Sequence, residues 1–114
     1  MKENIIVEKT FYFSLDIIAL YKNLQEQREF VLSKQLLRSG TGIGANVSEA
    51  TAGQSKKDFI AKMAIASKEA RETRYWLQLL QQSQLIKGDY SQYLSSIEEI
   101  IKILTSIVKT SQER

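Results

Sequence analysis

Cysteine, proline and histidine are all absent from this 114-residue chain. Without cysteine there is no disulfide framework, no thiolate nucleophile and no zinc–thiolate site. Without histidine the commonest general base, metal ligand and pH-sensing side chain are missing. The lack of proline, with only five glycines, removes the usual helix breakers and favours long helices over a loop-rich fold. Long apolar runs are missing as well. No stretch approaches the ~20 apolar residues that span a bilayer, and Ile5-Ile6-Val7 behind Met1-Lys2-Glu3-Asn4 is too short for a secretory signal. The expected compartment is the cytoplasm, with no membrane partner. What remains is ordinary for a globular chain: 43% apolar and 25% charged residues, and a length that suits one domain over residues 1–114.

The apolar residues recur at helical spacing almost everywhere. Phe13, Ile17, Leu20 and Leu24 step by four, three and four, with Leu15 and Ile18 widening the stripe. Leu32, Leu36, Gly40, Ile43, Val47 and Ala50 continue the rhythm, followed by Phe59, Met63, Ala66, Ala70, Leu77 and Leu80, then Tyr93, Ile97, Ile100, Leu104 and Ile107. A half-buried strand needs a period of two, which none of these segments has. The spacing therefore predicts helices over about 9–26, 30–52, 55–85 and 90–111, with frayed ends. Gly53 suits a helix C-terminus, Ser55 an N-cap with Asp58 behind it, and Asp89 with Gln92 resembles a capping box. Connections this short force antiparallel neighbours, so the expected fold is all-α, an up-down-up-down four-helix bundle.

Ser39-Gly40-Thr41-Gly42-Ile43-Gly44-Ala45-Asn46 has the look of a phosphate-cradling loop, but such loops follow a strand and open a helix, and the spacing matches neither nucleotide fingerprint. Read instead as helix, three glycines cost roughly 3 kcal/mol against alanine, so tertiary contact must offset them. Arg38, Gly42, Ala45, Glu49 and Ala52 form a second face away from the Leu36–Ile43–Val47 stripe. A helix that is small or apolar on two faces is enclosed on two faces. One of the two contacts is expected to be another copy of the chain, and Gly42→Leu is expected to break the oligomer while leaving the bundle folded. Arg38 and Glu49 lie too far apart to meet within one helix and need partners elsewhere, Glu72 or Arg74 being candidates. With Asn46 they read as a structural network fixing the register of assembly. Trp76, off the core stripe, suits a subunit contact.

The segment from Lys56 to Arg74 carries six bases (Lys56, Lys57, Lys62, Lys68, Arg71 and Arg74) against three acids, a surplus equal to the whole chain's +3. With Lys57 at zero and about 100° per residue, Lys68 falls near +20°, Arg71 near −40°, and Lys56 and Arg74 near −100°. Tyr75 lies within this ridge, and the core stripe lies opposite. Repeated in a multimer, such a ridge concentrates a positive field able to bind phosphates of RNA or DNA through counterion release. The alternative is a solvated face whose long stems cover apolar surface. Glu98-Glu99 and Glu69/Glu72 lack the Glu-x-x-His pairs of a di-iron bundle and read as surface charge, so no metal or other cofactor is expected. No serine or threonine has a histidine to activate it, which leaves no catalytic residue and argues against an enzyme.

Gln35 to Ala50, through Gln35, Leu36, Arg38, Ile43, Asn46 and Glu49, resembles the second-helix signature of the four-helix-bundle proteins encoded by ribosomal-RNA intervening sequences. Ser55-Lys56-Lys57-Asp58-Phe59 and Glu72-Thr73-Arg74-Tyr75-Trp76-Leu77 are similar to that family's third-helix signature. The resemblance covers nearly the whole chain and implies a ring-like homopentamer. It also implies kinship with the accessory protein of diversity-generating retroelements, whose partners are nucleic acid and a reverse transcriptase. It supplies no catalytic residues. The expected function is a non-enzymatic homo-oligomer that associates with RNA or DNA through Lys56, Lys57, Lys68, Arg71 and Arg74. The alternative is a protein–protein adaptor or scaffold with no nucleic-acid role.

Overall fold

The structure, a computed structural model, describes residues 2–113. It consists of α1 (Lys2–Glu26), α2 (Leu32–Thr51), α3 (Lys56–Ser83) and α4 (Ser91–Glu113), in a body of 46 × 20 × 19 Å. A helix the length of α3 is ~42 Å long, so it fits only along the long axis. Side-chain pairings fix the directions. Gln25 meets Ser33, Ile17 faces Gly40 and Thr10 faces Gly44, so α1 and α2 run antiparallel. Arg38 with Glu72 and Glu49 with Lys62 reverse α2 against α3. Arg74 with Glu98 and Arg71 with Thr105 reverse α3 against α4. Helix α4 closes back on α1 through Lys9 and Glu99. The bundle is up-down-up-down, with α1 diagonal to α3 and α2 diagonal to α4.

Its core follows the stripes. Ile17 and Leu24 of α1, Leu36, Ile43 and Val47 of α2, Met63, Leu77 and Leu80 of α3, and Ile97 and Leu104 of α4 are fully buried. Each such side chain contributes about 1.5–3 kcal/mol relative to exposure. Two buried polar positions are satisfied locally. The Thr10 hydroxyl donates to the Ile6 carbonyl at 2.7 Å, and Thr73 donates to the Glu69 carbonyl and lies 2.8 Å from the Ser39 hydroxyl across α2 and α3.

Three sequence expectations need correction. Helix α1 starts at Lys2 and not near residue 9, because Ile6 and Thr10 extend the buried face by two turns. The ends expected to fray are helical at residues 2–8 and 111–113, while Met1 and Arg114 lie outside the described residues. Leu15 and Ile18 do not widen the core stripe. They are 47% and 42% exposed and lie about 120–180° round α1 from the centre of the buried face. Helix α1 is apolar on two opposite sides, and the sequence stripe merged them.

Gly53 follows the end of α2 as expected, its N–H donating to the Ala50 carbonyl at 3.1 Å, but the left-handed positions in the turns are taken by residues other than glycine. Arg28 takes a left-handed conformation (φ 66°) between α1 and α2. The buried Glu29 carboxylate then accepts the backbone N–H groups of Val31, Leu32 and Ser33 at 3.1, 3.1 and 2.7 Å, capping the first turn of α2. Ser55 caps α3 as expected, its hydroxyl accepting the Asp58 N–H at 3.1 Å. Gln84, at φ 51°, ends α3. Asp89 accepts from the Ser91 backbone N–H and hydroxyl at 3.0 and 2.6 Å. This turn, two residues on, replaces the expected pairing with Gln92.

Candidate nucleic-acid interface

Helix α3 presents its ridge because its apolar positions are taken by the core on the other side. Lys56, Lys57, Lys68 and Arg71 are all exposed. Lys56, Lys57 and Lys68 form no ion pair among the described residues, and Arg71 donates a hydrogen bond to the Thr105 hydroxyl at 3.2 Å, which leaves its charge unneutralised. Arg74 differs: it is half-buried and paired with Glu98 at 2.9 Å. Lys62, outside the ridge, is held by Glu49 at 2.8 Å. The uncompensated bases are therefore Lys56, Lys57, Lys68 and Arg71. Tyr75 stands exposed beside them and packs edge-to-face on Trp76, with ring centroids 5.3 Å apart.

Lys56 and Lys57 occupy the first turn of α3. Cations there sit at the positive end of the helix dipole, an arrangement that disfavours the helix by about 0.3–1 kcal/mol each. Their placement gains nothing for folding and adds to the positive field at that end.

The glycine helix is enclosed from within the chain. A Cβ on Gly40 would lie 2.9 Å from Ile17 Cγ2, and one on Gly44 would lie 3.2 Å from both the Ser14 hydroxyl and the Thr10 carbonyl. Both glycines let α1 approach α2 closely. Gly42 faces α3, where its Cβ would lie 3.2 Å from a Glu69 oxygen. The neighbours of the three glycines are thus α1 and α3 of the same chain, while Arg38, Glu49 and Ala52 on the rest of that second face are exposed. Ala45 is exposed, and the half-buried Asn46 donates to its own helix at the Gly42 carbonyl, 2.8 Å away.

Arg38 finds its partners on α3. Its guanidinium donates to Glu69 at 3.2 Å and to Glu72, and Glu72 also accepts the Trp76 indole N–H at 3.2 Å. The four side chains form one network joining α2 to α3. Arg38 is 52% exposed, so this network orders side chains more than it stabilises the fold. Glu98 and Glu99 are likewise matched, to Arg74 and Lys9.

Sequence reasoning missed two features. Glu29 gave no signal beyond a polar run, because its role depends on the left-handed turn at Arg28. The outer apolar face of α1, comprising Val7, Phe11, Leu15 and Ile18, is 37–59% exposed; its signal was a four-residue periodicity running parallel to the core stripe.

A family model described as 23S rRNA-intervening sequence protein matches residues 2–106. A crystal structure of a protein with unknown function from the S23 ribosomal protein family of Bacteroides thetaiotaomicron is similar throughout. It shares 50% sequence identity and a TM-score of 0.90, covering 96% of this chain and 99% of that one. No curated protein matches the chain.

Proposed function

The chain belongs to the 23S rRNA-intervening sequence protein family, and on that premise we propose that it works without catalysis, as a self-associating bundle that holds RNA or DNA against α3. The observation that carries this reading is the contrast along one helix. Lys62 and Arg74 are neutralised by neighbouring carboxylates, whereas Lys56, Lys57, Lys68 and Arg71 share an exposed face with no acid against them. Each phosphate neutralised contributes about −0.7 to −0.9 to the slope of log affinity against log salt, so four bases in a lone chain make weak, strongly salt-sensitive binding. Several copies multiply the effect.

Self-association is supported by the outer face of α1. Its four apolar side chains expose roughly 300 Å², which is within the range of the largest patches on monomers. It would form the centre of a contact that needs about 800 Å² per partner. Because α1 is diagonal to α3, a second copy seated there leaves the ridge clear. The ring of five implied by the family resemblance is compatible with this arrangement. No helix among the described residues is long and apolar enough to cross a membrane, and the proposed setting is the cytoplasm.

Gel retardation of single-stranded and duplex RNA tests the reading. Retardation is expected at low salt without sequence preference and is expected to fade as salt rises. The triple variant Lys57→Glu, Lys68→Glu, Arg71→Glu should lose it while keeping helical content and assembly size. Undiminished retardation by that variant, or none by the parent chain at low salt, refutes the reading.

A further inference from the structure

We propose that the groove between α1 and α4 docks a cationic amphipathic helix of another polypeptide. The groove has a volume of about 480 Å³. Phe13 and Ile100, buried at 3% and 2% exposure, lie beneath its floor, and Ile5 and Tyr12, 48% and 58% exposed, supply the apolar wall. Three carboxylates, Glu8, Asp16 and Glu99, ring this surface, and Ser95 and Ser96 line it from α4. The one base in the lining, Lys9, is already paired with Glu99. Glu8 and Asp16 form no ion pair among the described residues.

Charge and spacing together select the occupant. The carboxylates repel nucleic acid, and the exposed Ile5 and Tyr12 gain nothing from a small polar cation. Glu8 and Asp16 lie on one helix at a separation of about 12 Å, two turns apart with Tyr12 midway. A docked helix with basic residues two turns apart and bulky apolar residues between them matches both, the helix-in-groove mode of recognition. The ridge of a second copy fits less well: on the face between Lys57 and Lys68, α3 offers Ala61 and Ala64, too small to fill the groove. This site is independent of the α3 ridge and does not require nucleic-acid binding.

The test uses the isotope-labelled full chain and a synthetic peptide of leucine and lysine in a helical repeat, roughly 14 residues long, with a leucine–glutamate peptide of the same pattern as control. The lysine peptide is expected to shift the amide resonances of residues 5–16 and 95–100, and the control is expected not to. The double variant Glu8→Lys, Asp16→Lys should weaken binding about tenfold or more with its circular dichroism unchanged, because both side chains are exposed. Four results overturn the proposal: no binding at roughly millimolar peptide, shifts centred elsewhere, equal binding of the control, or tighter binding at the groove by a peptide copying residues 56–75 of this chain. The last would make a second copy the occupant. The variant Tyr12→Ala, which keeps the net charge and lies in the groove wall, separates the two proposals: it should weaken peptide binding while its RNA retardation matches that of the parent chain.

Discussion

Adding one methyl group at Gly40 sets two effects of opposite sign against each other. Alanine is better than glycine in a helix interior by about 1 kcal/mol, so propensity alone predicts stabilisation. Sterically, the new Cβ would lie 2.9, 3.0 and 3.3 Å from three carbons of Ile17, where carbon atoms pack at about 3.5–4.0 Å. Ile17 is fully buried and stiff at its branched Cβ, so the side chain cannot swing aside and α1 must retreat. Overpacking of this kind costs about 1–3 kcal/mol, giving a net loss of up to about 2 kcal/mol and a fall in Tm of roughly 4–8 °C per kcal/mol. Gly42→Ala is the matched control. Its Cβ would meet the carboxylate end of Glu69 at 3.2 Å, which rotates away, leaving most of the propensity gain. Urea and thermal denaturation of both variants decide the matter. If Gly40→Ala is as stable as Gly42→Ala, close α1–α2 packing is not what the glycine provides.

Two further outcomes follow from the turns and the buried phenols. Glu29→Ala removes the acceptor for three N–H groups at the start of α2 and should cost about 2 kcal/mol, from lost capping and a lost anion at the helix N-terminus, read as a lower urea midpoint. Burial pushes the Tyr90 and Tyr93 phenols above their ordinary value near 10.0. The fold therefore disfavours the phenolates, and the stability they contribute is whole below pH about 10 and lost as pH rises through the raised values. Tyrosinate absorbance should show two late-titrating tyrosines, and Tyr93→Phe should flatten the alkaline loss of stability. A Tyr93→Phe profile identical to that of the parent chain contradicts the assignment.

Much of the fold could be read in the sequence because a bundle of this kind is written in one variable, the spacing of apolar residues. Ile17, Ile43, Leu77 and Leu104 occupy the core as their stripes require. The turn at Arg28 and Glu29 was not legible, since a left-handed arginine and a carboxylate reaching back to three amides leave no compositional mark. Helix α1 misled for a different reason: periodicity shows that apolar residues lie on a face but cannot say which of two faces the bundle covers. The same ambiguity affected the glycines, whose need for close packing was correctly inferred while the neighbour was a helix of the same chain. Among the candidate site residues, the partner of Arg38 at Glu72 could be inferred from unpaired charge. The neutralisation of Arg74 by Glu98 could not, because it depends on the register of α4 against α3.

The salt dependence of RNA affinity tests the central claim most directly. Plotted as log affinity against log salt, the parent chain should give a steep negative line, and the variant Lys57→Glu, Lys68→Glu a slope shallower by about 1.4–1.8 per chain in contact. A flat line for the parent chain, or identical slopes for the two proteins, would contradict the account.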